Sequence, residues 1–356
     1  MTVDLLYNDV EDTLRANLRQ MLAQRCPHPA ILARSESDEP YDMELWRTLA
    51  VGMGLAGLAI PEKFGGAGAS LREVAVVCEE LGRAVAPVPY LGSAVVATAV
   101  LLAIEDAALL GELAAGSRTA ALAVPFATPP GSLPATMDSL TGTITSVADA
   151  LAADTLLVPA GGALYAVDAT AVVRTPVVSL DLTRRLCDIS LRDAPGRRLA
   201  DGDEAAAAVS AGLSAGAALL ACEQVGVAEW CLESTVEYAK TRYQFGRPVG
   251  SFQAVKHRLA DVWAGLTQAR AVARYAVACL ATGDPDATVA IALAQAHCSP
   301  VATNAAEECV QLHGGIGFTW EHPAHLYLKR AKADAIAFGT PDRHRATLAR
   351  LVDLES

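Results

Sequence analysis

The amino-acid sequence predicts a mostly α-helical protein with a small β-domain in its middle. Three observations carry that prediction. Apolar residues recur at helical spacing up to about residue 117. From about Ser117 to Ala200, short strand-like runs alternate with Gly, Pro and Asp turns. From Asp201 onward the helical spacing returns. The chain therefore divides into a helical segment at 1–117, a β-domain at 118–202 and a helical segment at 203–356, the middle one of ordinary domain size. At 356 residues there is enough chain for a large core.

The elements follow in order. Leu14, Leu18, Met21 and Leu22 have the spacing of one amphipathic helix face. Asp42 to Met53 forms a second helix with Trp46 and Leu49 on one side. Pro61, Gly65, Gly66 and Gly68 stop it and make a turn. Ser70 and Glu73 then form a capping box for a helix that buries Val74, Val77 and Leu81 and runs to Gly82. A further apolar helix spans about Ser93 to Ile104. The strand-like runs are ALAV, TGTITSV, TLLVPA, ALYAVDA and TAVVRTPVV. Three long helices are expected at about 203–242, 251–281 and 285–312, with one or two shorter ones after Pro323.

Composition narrows the class of function. The chain is 52% hydrophobic, but Gly, Pro, Asp or Glu break every apolar stretch before it could span a bilayer. Its first residues are acidic and lack the basic-then-apolar order of a signal peptide. A soluble, cytoplasmic protein with no membrane partner is the expectation. A net charge of −12 argues against nucleic-acid binding, which needs a basic surface. The eight cysteines show no C-x-x-C pair and sit in apolar contexts, as reduced core residues do.

Two segments carry chemistry. In Tyr238–Gly246, Arg242 and Phe245 stand three apart, which places them on one face at a helix end. A guanidinium can grip a pyrophosphate through two parallel bonds, and a Phe beside it can pack under a ring. An ordinary surface arginine at a helix C-terminus fits the same fragment. In Gln311–Phe318, QLHGGIGF, a glycine-rich turn follows a helix, and its bare backbone can approach an anion closely. A helix-stop turn reads the same way. No strand precedes it, so it is not a strand-first nucleotide fingerprint.

Taken together, RYQFG, FQAVKHRLAD, QLHGGIGF and EHPAHLYLKRA resemble the acyl-CoA dehydrogenase family in order and spacing. MGLAGLAIPEKFGGAGAS at 53–70 and EELGRAVAPVPYLGS at 79–93 are similar to its N-terminal part. The resemblance covers about residues 40–105 and 203–348. It implies an N-terminal helical domain, a β-barrel-like middle domain and a C-terminal four-helix bundle that assembles dimers or tetramers. It also implies FAD lying across a subunit interface and an acyl-CoA substrate. Arg242, Phe245, Gln311, Gly314, Gly315, Gly317 and Thr340 match positions that hold the ADP half of a flavin whose ring sits in the neighbouring subunit.

The resemblance breaks at the ring side. The family's T-E-P-x-x-G-S-D region reads PFATPPGSLPAT at 125–136, where Gly131-Ser132 is a faint remnant with no acid after it. Its W-I-T region reads GTITSVADALAAD at 142–154, without Trp. The family's catalytic carboxylate abstracts the acyl α-proton, and an apolar pocket raises its pKa for the task. That position falls on Phe338, and the alternative position used by some members falls on Gly216. Substitutes are Glu223 and Asp334, with Asp342 and His344 further off, although an ordinary ion pair or surface charge fits each better. His322 and His325 have the spacing of a metal pair, but nothing nearby completes a site.

GTPDRHRA at 339–346 resembles the base-lacking subunit of actinobacterial α2β2 acyl-CoA dehydrogenases that act on steroid-derived CoA thioesters. Such a chain lends its ADP half-site to a homologous subunit that carries the catalytic Glu. A self-sufficient homo-oligomer with a displaced base, Glu223 or Asp334, is the alternative. A flavin-free structural homologue is a third.

Overall fold

The computed structural model describes residues 5–132 and 137–354. Among the described residues six α-helices come first: α1 (Asp9–Arg25), α2 (His28–Ser35), α3 (Met43–Arg47), α4 (Leu71–Arg83), α5 (Thr98–Ala103) and α6 (Ala107–Ala114). The α1 face buries Leu18 and Leu22, with Leu14 and Met21 packed partly beside them. The Ser70–Glu73 capping box starts α4, each side chain bonding the other's backbone N–H. The apolar run expected at Ser93–Ile104 begins earlier, as a wider π-helical stretch over Tyr90–Ala97 that leads into α5.

Seven strands follow among the described residues: β1 (Ala120–Leu122), β2 (Gly142–Ala148), β3 (Thr155–Ala160), β4 (Ala163–Asp168), β5 (Val173–Pro176), β6 (Leu186–Leu191) and β7 (Gly196–Asp201). They form a four-stranded sheet ordered β1-β3-β4-β7 and a three-stranded sheet ordered β2-β6-β5. Among the described residues no hydrogen-bonded ladder joins the two sheets, so the middle domain is not a closed barrel. A small core containing Val147, Leu156, Val158, Val167 and Ile189 lies among these strands. Sequence reading missed β6 and β7, although β6 alternates buried and half-buried residues as a one-sided strand does. The tail of the 125–136 segment, residues 133–136, lies outside the described residues.

The C-terminal bundle packs α7 (Gly202–Thr241), α8 (Gln253–Thr282) and α9 (Ala287–His313), with the shorter α10 (Ala324–Asp334) and α11 (Pro341–Leu351) against α9. A two-stranded hairpin, β8 (Tyr243–Gln244) and β9 (Arg247–Pro248), joins α7 to α8. By length and composition α7 could cross a membrane, but 72% of its most apolar stretch is buried in this fold, where it is the central bundle helix. All eight cysteines are buried and unpaired by disulfides.

Candidate functional site

The site residues fall into two groups, one at an exposed end of the bundle and one in the cleft between bundle and middle domain. At the exposed end, α7 stops at Thr241 and Arg242 caps it in an extended conformation. The chain then turns through the hairpin, with Gln244 opposite Arg247. Its two central residues, Phe245 (φ +52°) and Gly246 (φ +77°), both lie in the left-handed region, as a type I′ turn requires. Arg242 and Phe245 therefore do not share a helix face, because the helix ends before either of them. Phe245 is 90% exposed, and its ring meets Phe252 edge-on at 6.2 Å. Arg247 lies over Phe252 at 3.9 Å. A bulky residue held at positive φ and pointed into solvent costs about 1–3 kcal/mol in the lone chain.

At the C-terminus of α9, Gly314 adopts φ +64° and ψ −140°, a conformation essentially reserved for glycine. Gly317 is buried, and a Cβ there would stand 2.4 Å from the Val310 carbonyl oxygen. The fold thus requires both glycines. Gly315 is exposed, with nothing within 4 Å of where a Cβ would be. Gln311 is exposed as well. Tyr238 stacks on His313 with ring centroids 4.5 Å apart. This contact joins the ends of α7 and α9 and brings the Arg242 hairpin and the glycine turn to one end of the bundle. Thr340 is placed differently: it caps α11 beside Phe338.

In the inner cleft Phe338 is 4% exposed and sits at φ +52°. Its N–H donates to the Phe126 carbonyl at 2.8 Å, and the two rings meet edge-to-face at 5.3 Å. Its own carbonyl faces His344 Nε2 at 2.9 Å. Gly216 on α7 faces the Phe338 ring. What remains between Leu91, Val96, Val124, Leu213 and the two Phe rings is a cavity of about 30 Å³. That is room for a water molecule or so, not for an acyl chain. The segment without Trp is anchored structurally: Asp149 accepts from the Gly92 N–H at 2.8 Å and from the Tyr41 hydroxyl at 2.9 Å.

The substitute bases lie elsewhere. Glu223 is buried and accepts from Arg184 Nη2 at 2.9 and 2.6 Å and from Arg330 Nη1 at 2.5 Å. Burial alone would raise its pKa, but Arg184 and Arg330 together hold the carboxyl below the usual range. A charged carboxylate gripped by two guanidinium groups is a poor proton acceptor. Burial pushes the Asp334 carboxyl well up, and the nearby Glu223 adds to this. Neither acid borders the cavity beside Phe338. Asp342 is exposed and pairs with Arg345 at 2.6 Å. His344 is buried, and burial lowers its pKa. His322 stacks near His313 at 4.1 Å and is pushed down to about 4, by burial and then by that neighbour. Among the described residues no three potential metal ligands converge. Sequence reasoning did not find Phe126, Arg184 or Arg330. None carries a local signal, because the partners of Arg184 and Arg330 lie far off in the chain.

Comparison with known proteins agrees with this architecture. The N-terminal domain model of acyl-CoA dehydrogenases matches residues 8–108, and the C-terminal domain model matches residues 206–352. The acyl-CoA dehydrogenase IpdE2 of Mycobacterium tuberculosis is 40% identical over 344 residues, covering 95% of each chain. A chain of the ChsE4-ChsE5 complex from Mycobacterium tuberculosis superposes with a TM-score of 0.87 at 29% identity, covering 99% of this chain and 100% of that one. A chain of the Tcur3481-Tcur3483 steroid acyl-CoA dehydrogenase, G363A variant, gives a TM-score of 0.85 at 31% identity, covering 97% of this chain and 98% of that one.

Proposed function

This chain belongs to the acyl-CoA dehydrogenase family, whose members are FAD-dependent, and we propose that it is the base-lacking subunit of a two-component enzyme. It offers Arg242, Phe245, Gln311 and the Gly314–Gly317 turn to the ADP half of an FAD whose ring is held by a homologous partner. The partner supplies the catalytic Glu and the acyl-CoA pocket. The bound FAD provides hydride acceptance. This chain's residues bind and orient the nucleotide end, and Thr340 lies at the edge of the disused cleft.

One observation carries the reading. Arg242, Phe245, Gln311, Gly314 and Gly315, the residues the resemblance assigns to the ADP half, are exposed, while the space beside Gly216 is filled by Phe338. The exposed residues fit the ADP half of FAD: a guanidinium, an exposed aromatic ring and a glycine turn lie at one end of the bundle. The space left beside Phe338 and Gly216 does not fit an acyl chain. A self-sufficient enzyme would need a base, and Glu223 is committed to two arginines. That two relatives are described as a complex and as a steroid enzyme supports a homologous partner and a steroid-derived CoA thioester as substrate.

The test is expression of the chain alone and together with a homologue that has the E-G-T glutamate. The lone chain should purify colourless and inactive. The pair should purify yellow and dehydrogenate an acyl-CoA. A yellow, active homo-oligomer would overturn the proposal.

A further inference from the structure

Away from the cleft, three elements meet in a buried charge cluster. The connection between β5 and β6 supplies Asp181, Thr183 and Arg184, α7 supplies Glu223, and α10 supplies Arg330 and Asp334. Arg330 bonds Asp181 through Nε, Glu223 through Nη1 at 2.5 Å and Thr183 Oγ1 through Nη2 at 2.5 Å. Arg184 bonds both Glu223 oxygens and, at 3.0 Å, Asp334 Oδ1.

The charges do not balance. Two guanidinium groups face three carboxyls, and a fourth acid, Asp149, lies in the field of Arg184. Cys78 also faces Glu223 and Arg184, but burial pushes its thiol up and keeps it neutral. Lys329 faces Asp181 from the rim, where its ammonium lies over Trp320 at 4.3 Å. A dry site does not hold surplus anions. The hydrogen bonds identify which acid is neutral. Both oxygens of Asp149, Asp181 and Glu223 have donors, whereas Asp334 Oδ2 is buried with none. Gln224, whose Nε2 reaches the Asp334 carbonyl at 3.4 Å, has an equally unmatched Oε1. A proton on Asp334 Oδ2 removes a buried, charged orphan acceptor and makes that atom a donor.

We infer that Asp334 carries its proton at neutral pH, and that the cluster is a proton-held clamp fastening the middle domain to α7 and to α10, one turn before Phe338. The sign of its pH dependence follows. A carboxyl that holds its proton more tightly folded than unfolded adds most stability below its unfolded pKa of about 3.9. That contribution is lost as pH rises through the folded value. Asp334→Asn fixes the neutral form. Its melting temperature should equal or exceed that of the wild type at about pH 6, with a lead that grows towards about pH 9. A variant less stable than wild type by a margin that stays level from about pH 5 to about pH 9 and shrinks only as pH falls below about 4 would overturn the inference, because an ionised Asp334 paired to Arg184 requires that pattern. Should the variant fail to fold, infrared spectroscopy of the ¹³C-aspartate-labelled wild-type chain decides. A protonated carboxyl band at neutral pH supports the clamp, and its absence rejects it.

Discussion

The ring of Phe338 occupies the space that a side chain at residue 216 would need: a Cβ built on Gly216 would stand 2.5 Å from Phe338 Cζ and 2.8 Å from Cε1. Both positions at which the sequence resemblance would place a base therefore share one contact. The bulk of Phe338 and the bareness of Gly216 are halves of a single packing solution. Gly216→Ala should overpack the cleft and destabilise the chain by about 1–3 kcal/mol. In a Phe338→Ala background the same change should cost clearly less. Urea unfolding of the four chains measures the coupling, and additive effects would show that the two residues do not share space.

Restoring the missing acid should not restore chemistry. Phe338→Glu places a carboxyl against the Phe126 ring, at a small cavity bordered by Val96 and Leu213 and by a second carboxyl, Asp149. The lone variant should melt lower than wild type and should not turn over acyl-CoA, because the segments at 125–136 and 142–154 still lack the family's ring-side motifs. Turnover by the lone variant would contradict this account.

How legible was this in the sequence? The long bundle helices were readable to within about two residues, because Ala-rich apolar spacing and Gly or Pro stops are local signals. The capping box at Ser70 and Glu73 was readable for the same reason. The two positions expected for a base came from counting, Phe338 from the glycine turn and Gly216 back from RYQFG. What counting could not supply is that residues 216 and 338, far apart in the chain, touch. Nor could it show that Glu223, which reads as one charge on a helix, is gripped by an arginine from a distant β-loop. The hairpin at Phe245 was misread because a three-residue spacing implies a shared face only while the helix lasts.

Glu223 is expected to act as a structural anion. Its folded carboxyl sits below the ordinary range, so its contribution is present above the unfolded pKa of about 4.3 and is lost as pH falls through the folded value. Glu223→Gln should cost about 3 kcal/mol, the lower end for breaking a buried pair, since Asp334 can then ionise towards Arg184. The variant should also show a shallower loss of stability on acidification. Unchanged stability with lost activity in the complex would instead mark Glu223 as a base.

Phe245 trades stability for contact. Phe245→Asn suits the left-handed turn position and should raise the melting temperature of the lone chain slightly. The same change should weaken flavin retention in the complex. Improved or unchanged retention would remove Phe245 from the nucleotide site.

Arg242 is exposed and caps a helix through its backbone, so Arg242→Ala should leave the melting temperature of the lone chain nearly unchanged. In the complex it should lower flavin affinity about tenfold or more, the value of a lost charge-assisted bond of roughly 1.5–3 kcal/mol. Retention equal to wild type would exclude the role assigned to it.

The central claim is that this chain contributes half of a flavin site and no complete one. The most direct measurement is the number of flavins per pair of chains in the purified complex with a Glu-bearing homologue, from visible absorbance against protein concentration. One flavin per pair, with none on this chain alone, is the predicted result. Two flavins per pair, or flavin bound by this chain without a partner, would contradict it.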